Sequence, residues 1–130
     1  MIRSSMNWPS VRDADEGATA VEFAIIFPVF VLFVFGIIQF GLVLWTKFAL
    51  QHATAEAARC ATVNGTLCGT ASGVQAYAAT QAYGLKFPSS VFTLTASACG
   101  NQVTADYTFV FIESLGVPNV RLNASSCFPK

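Results

Sequence analysis

Charged side chains are scarce in this sequence. Lysine and arginine supply seven residues and aspartate and glutamate seven more, 11% of a 130-residue chain that is 54% hydrophobic. Soluble domains carry roughly 25% charged residues, so the composition is that of a membrane protein. The formal net charge is zero and no lysine/arginine cluster occurs. That removes the electrostatic footprint of a nucleic-acid binder or a polybasic lipid anchor, and nucleic acid is not an expected partner. Histidine occurs once, as His52. It lies among charged neighbours on an alanine-rich stretch and reads as part of a solvated helix face rather than as a general base. Nucleophile elbow, phosphate-cradling glycine loop and paired carboxylates at motif spacing are all missing. No enzymatic activity and no cofactor are therefore expected. No internal repeat or low-complexity tract stands out either, and about a quarter of the chain is one apolar run, which leaves room for a single small extramembrane unit.

That run is the dominant feature. Residues 23–45 contain no ionisable side chain, and as a helix at 1.5 Å per residue they extend about 34 Å, enough to cross a hydrocarbon core of roughly 30 Å once. A buried core helix would need a second apolar element of similar length to cover it, and there is none. A cleaved secretory signal is the better rival. Its apolar core is usually about 7 to 15 residues behind a basic segment, whereas this run is longer, follows Asp13, Asp15 and Glu16, and has no small-residue cleavage pattern near Trp45. Charge does not orient the span, since Arg3 and Arg12 before it are matched by Lys47 and Arg59 after it. The cysteines do. Cys60, Cys68, Cys99 and Cys127 all follow the span, an even number in a short unit that needs staples, which puts the C-terminal part in an oxidising compartment and residues 1–17 in the cytoplasm.

After the span, "TKFALQHATAEAARCATVNG" is alanine-rich and free of Gly or Pro until Gly65, so the helix is expected to continue to about residue 61, giving about 65 Å from residue 18. Phe48, Ala49, Ala53, Ala57 and Cys60 mark its inner face, with His52, Glu56 and Arg59 forming exposed pairs on the other. "SGVQAYAATQAYG" predicts a second helix, Ser72 its N-cap and Gly84 in the C′ place. "VFTLTASAC" and "QVTADYTFVFI" alternate in period two around a "GN" turn, and "VRLNASSC" repeats the alternation after "LGVPN". The expected class is α+β: a long N-terminal transmembrane helix continuing into a small cap with a second helix and a three-stranded antiparallel sheet. The division is a leader at 1–17, a span at 18–45 and an extracytoplasmic cap at 46–130. In this layout Cys60 and Cys68 close a short loop, and Cys99 and Cys127 lie at matching strand ends, so those two pairs are preferred among three connectivities. Zinc is disfavoured, because the spacings are not those of a paired CxxC site. "NGT" at Asn64 and "NAS" at Asn123 match the glycosylation triplet, which also arises by chance.

One carboxylate stands out against the apolar background. Glu22 follows Gly17 by five residues in "GATAVEF", although a charged side chain at a bilayer centre costs about 2.5 to 3.5 kcal/mol. This glycine, glutamate and aromatic at the head of an apolar helix resemble the prepilin-peptidase signature of type IV pilin-like proteins. The wider string from Glu16 to Gly65, down to "AEAAR", resembles the TadE-like family of bacterial tight-adherence (Tad/Flp) pilus systems. The resemblance implies cutting after Gly17, Ala18 as the new N-terminus, and Glu22 as the fifth mature residue, followed by Phe23. It implies a minor pilin or pseudopilin that assists pilus assembly and is held in the bacterial inner membrane. The partners would be a prepilin peptidase, other pilins, the assembly platform and lipid. A pseudopilin of a related secretion machine and a membrane-tethered secreted enzyme or binding module are the alternatives.

The residues give the signature a physical sense. A glycine leaves the scissile backbone unhindered, and a helix starting just after it would hold Glu22 near the interface, where the macrodipole favours it and a neighbouring subunit's α-amino group could neutralise it. Pro28 removes one helix hydrogen bond and loosens the helix near its start. Gly36, Gln39 and Gly41 offer a close helix contact, with lipid exposure the equal alternative.

Overall fold

The computed structural model describes residues 11–111 and 116–130. Residues 1–10 of the expected leader and Ile112 of the expected second strand lie outside them. The chain forms two compact units, Met1–Ile38 and Gln39–Lys130. The elements are α1 (Val11–Val63), α2 (Gly65–Cys68), α3 (Ala71–Thr80), a 3₁₀ turn (Ser89–Val91), β1 (Phe92–Ser97), β2 (Gly100–Phe109) and β3 (Val120–Phe128). The fold is α+β, a long apolar N-terminal helix with further helices and one three-stranded antiparallel sheet.

In the first unit α1 begins at Val11, seven residues earlier than a helix starting at Ala18 would. Nothing in residues 11–16 breaks a helix, and a single glycine costs only about 1 kcal/mol relative to alanine, so the apolar helix propagates back through Gly17. From residue 17 to residue 30 every side chain is exposed. The segment Gly17–Val63 is long and apolar enough to cross a membrane.

The second unit is built on the later turns of α1. Ala49, Leu50, Ala53, Thr54, Ala57 and Ala58 are buried at 3- and 4-residue spacing, the signature of a helix face turned inward. Phe48 is 56% exposed and does not belong to that face, correcting its expected place there. Its neighbour Ala49 turns inward instead, since a methyl group fits where a ring would not. Buried Thr54 donates its hydroxyl to the Gln51 carbonyl at 2.9 Å, and Thr46 donates to the Leu42 carbonyl at 2.8 Å. The backbone of α1 thus satisfies both hydroxyls, and neither needs water. The expected pairs on the outer face do not form: among the described residues, Glu56 and Arg59 make no ion pair or hydrogen bond. Such exposed pairs are worth only a few tenths of a kcal/mol.

After α1 the chain turns sharply. The Asn64 side chain accepts from the Leu67 N–H at 3.2 Å and caps α2, a four-residue helix that period counting does not detect. Thr70, not Ser72, caps α3, accepting from the Gly73 N–H at 3.2 Å. A Cβ on Gly73 would meet the Leu67 carbonyl oxygen at 2.5 Å, so the backbone passes where only glycine fits. The helix ends at Thr80 with Gln81 as its C-cap, which removes Gly84 from the C′ place; Gly84 and Tyr83 instead adopt positive φ, 79° and 48°, in the turn beyond.

The sheet is a meander of order β1-β2-β3. Phe92 pairs with Ala105, Leu94 with Val103, and Ala105 with Ala124, so the apolar positions of all three strands share one face. Phe92, Val103, Ala105, Leu122 and Ala124 are buried and join Val74 and Ala78 of α3 and the alanines of α1 in one core. The hairpin turn falls at Ala98 and Cys99, since Ser97 pairs with Gly100, and not at the expected Gly100 and Asn101. Gly100 is the first residue of β2, at φ 128°, with the Phe128 carbonyl and Pro129 against its α-carbon. Asn101 is then free to donate to the Ala61 carbonyl at 3.3 Å and the Thr62 hydroxyl at 3.1 Å. Gln75 of α3 donates to the Phe92 carbonyl at 2.9 Å, and the Lys47 ammonium donates to the Asn123 carbonyl.

Cys60 is bonded to Cys68 and Cys99 to Cys127, with Cα separations of 5.7 and 6.3 Å. The first bridge closes the turn between α1 and α2, and the second ties the hairpin to the last strand. Closing even a short loop contributes about 2 to 3 kcal/mol in the chain-entropy model, a large share of the stability of so small a unit.

Two outcomes follow. Gly100→Ala is expected to destabilise the cap by about 1 to 3 kcal/mol, because alanine meets both a strained φ and a filled space; a thermal melt in detergent followed by circular dichroism measures it, and an unchanged midpoint would contradict the packing. Cys99→Ser is expected to leave Cys127 alkylatable and the Cys60–Cys68 bridge intact, and peptide mapping that joins Cys127 to Cys60 or Cys68 would show the two loops are not independent.

Candidate processing and assembly segment

The residues singled out at the head of the apolar run all lie in the first unit on α1. Gly17 and Ala18 are exposed, and a Cβ built on Gly17 meets nothing within 4 Å among the described residues. Packing among the described residues therefore does not require a glycine here, and its helix penalty of about 1 kcal/mol has no compensation among them.

Glu22 sits one turn further on, exposed, with no ion pair or hydrogen bond among the described residues. As the twelfth residue of α1 it is more than three turns from the helix N-terminus, whereas dipole effects fade within the first turn. In the full chain the macrodipole does not stabilise it. Val21, Ile25 and Ile26 are 62%, 68% and 57% exposed, so beside and beyond it the carboxylate borders apolar surface, with the polar Thr19 one turn before it. Phe23 stacks on Phe27 with ring centroids 5.4 Å apart, the i,i+4 pairing that a helix favours. Pro28 lies inside α1, which continues through it; its missing N–H leaves the Ala24 carbonyl without its helix partner. Gly36 has open space over its α-carbon, as does Gly41 in the second unit.

The second unit carries features that the sequence did not reveal. His52 is half-buried, with Nδ1 3.2 Å from the Gln81 carbonyl and its ring 4.5 Å from that of Tyr83. This corrects the reading of a solvated helix face. The cause is the turn after α3, which folds back over α1, and no local periodicity reports such a contact. An open groove of about 380 Å³ is lined by Lys47, Gln51, Thr104, Asp106, Asn123 and Ser125. Its one ammonium group is engaged by the Asn123 carbonyl.

Residues 17–59 match the TadE family model, described as TadE-like protein. The match begins at Gly17 itself and covers about a third of the chain, taking in Glu22, Phe23, Pro28 and the alanine face of α1. No curated protein and no solved structure matches the chain. The matched family is the one that the residues resemble.

Gly17→Ala should stabilise α1 locally by about 1 kcal/mol, since alanine there meets no obstacle. Hydrogen exchange in detergent should show amides around residue 17 exchanging about fivefold more slowly. Faster exchange would mean that the glycine serves the fold.

Proposed function

We propose that this chain is a minor pilin or pseudopilin that assists assembly of a Tad-type pilus, without enzymatic activity of its own. It is inserted once in the bacterial inner membrane with residues 1–17 cytoplasmic and the cap outside. The observation that carries the reading is the pair formed by Gly17, a glycine that packing among the described residues does not require, and Glu22, a carboxylate without a partner among them, at the head of an exposed apolar helix. Both lie within the stretch that matches TadE-like proteins.

The geometry supports the proposed maturation. A prepilin peptidase cutting between Gly17 and Ala18 meets a backbone with no Cβ on the scissile side and open space around it. The cut moves the start of the helix from Val11 to Ala18, and Glu22 becomes its fifth residue. The carboxylate then lies close to the new positive helix end and a new α-amino group, its own or that of an adjacent subunit. A subunit whose Glu22 meets a neighbour's amino group neutralises a charge that is costly in lipid and thereby sets an axial register between the two. Pro28, one residue past Phe27, supplies a weak point at which α1 can adjust as subunits pack. A pseudopilin of a secretion machine would mature in the same way and differ in what it co-purifies with.

The intact mass of the protein from cells that process their other prepilins tests the reading. A chain beginning at Ala18 and retaining the whole span is expected; a chain starting at Met1, or one cut beyond residue 45, contradicts it. Gly17→Arg should block the cut without preventing insertion. Glu22→Ala should insert and be cut normally, yet lose crosslinking to other pilins, and normal piliation in a strain carrying only that variant would remove the register role.

A further inference from the structure

Where the uncharged run ends, the cap presents a cluster of rings that its core does not use. Trp45, the last residue of the run, is 50% exposed; Phe48, one turn on, is 56% exposed; Tyr83, from the turn after α3, is 49% exposed. Tyr83 bridges them, its ring centroid 6.1 Å from that of Trp45, 5.9 Å from that of Phe48 and 4.5 Å from that of His52. These separations place three large rings side by side at the surface.

The backbone that delivers Tyr83 is strained. Its φ is 48°, the left-handed region, which a bulky side chain occupies at a cost of about 1 to 3 kcal/mol and which persists only when the surroundings impose it. Asn or Gly would sit there more cheaply. The ring that results is half-exposed, and its hydroxyl makes no hydrogen bond among the described residues. The cap therefore holds a tyrosine against the end of the apolar run in a costly conformation, without burying it and without bonding its polar tip.

We propose that Trp45, Phe48 and Tyr83 form an interfacial anchor that seats the turn at residues 81–84 in the headgroup layer of the bilayer. The proposal rests on residues 23–45 crossing that bilayer. Continuity selects the occupant: Trp45 closes the run, so its ring lies where hydrocarbon gives way to headgroups, with the Tyr83 ring tilted against it and Phe48 stacked on Tyr83. Tryptophan and tyrosine concentrate at that depth because an apolar ring body and a polar tip match the two sides of the boundary. Lys86, exposed in the same loop, has the reach to bring its ammonium to the phosphates. The anchor fixes which side of the cap faces the membrane.

Single-tryptophan forms of the full chain in phosphatidylcholine/phosphatidylglycerol nanodiscs test this. Trp8→Phe isolates Trp45 with the cap unaltered. Tyr83→Trp, Phe33→Trp and Leu67→Trp are each made with Trp8→Phe and Trp45→Phe. Nitroxide-labelled lipids then report depth and acrylamide reports water. Trp45 and the Tyr83→Trp form are expected to be quenched at least about twofold more by a headgroup nitroxide than by a mid-chain one, while Phe33→Trp shows the reverse preference and Leu67→Trp responds to acrylamide alone. If Tyr83→Trp behaves like Leu67→Trp while Phe33→Trp keeps its deep quenching, the span stands and the anchor is overturned. Trp45 answering only to acrylamide overturns the anchor in a chain whose cap has not been changed. Loss of deep quenching in Phe33→Trp overturns the span and the anchor together.

Discussion

Three alanines one helical turn apart, Ala49, Ala53 and Ala57, have no exposed surface at all, and the cap is assembled against them. A helix face of methyl groups lets other backbones approach closely, and the volume of the core must then come from the other side. Phe92 and Val103 of the sheet and Val74 of α3 supply much of it, while Leu50 and Thr54 of α1 are also among the largest fully buried side chains. Any larger residue on the alanine stripe would have to displace one of these, and close-packed interiors do not yield that space without strain. The same helix carries large apolar side chains at its exposed positions before residue 49, including Phe40, Leu42 and Leu44 at 65%, 48% and 52% exposure. One helix therefore changes residue size where it changes surroundings.

Polar ties hold the layers in register. Asn101 reaches α1, Gln75 reaches β1 and Lys47 reaches β3, each donating to a backbone carbonyl. Each tie crosses from one element to another and ends on a backbone carbonyl. Apolar packing alone tolerates sliding of a sheet over an alanine surface, and directional bonds at both ends of the interface do not. The edge-to-face contact of Phe87 with Tyr107, centroids 4.9 Å apart, adds a ring pair to the core.

What was legible in the residues was whatever depended on a period or a long run. The strands of the meander alternate because one face is buried and the other is wet, and α1 shows as an uninterrupted apolar and alanine-rich stretch. Features set by a single close approach were not legible. Ser72 and Thr70 are equally good caps by composition, and the position of the Gly73 N–H decides between them. The hairpin turn moved by two residues because the close contact of Gly100 with the last strand holds it inside the ladder. His52 looked solvated because the turn that covers it comes from residues 81–83, far along the chain. Gly17 and Glu22 were visible only as an anomaly, a costly glycine and a costly charge without compensation among the described residues. Family likeness, and not periodicity, gave that anomaly a meaning.

The order of the disulfides along the chain has a consequence for biosynthesis. Each cysteine is bonded to the next one in sequence, Cys60 to Cys68 and Cys99 to Cys127. A chain that emerges from its N-terminal end presents the thiols in that same order, and the first pair can close before the third cysteine has appeared. The second pair then forms with no free competitor, so oxidation can run to completion without reshuffling, which otherwise takes seconds to hours. Nested or interleaved bridges would require the chain to hold a reduced thiol open while others passed. This topology lets the cap harden from its helix outwards as it arrives.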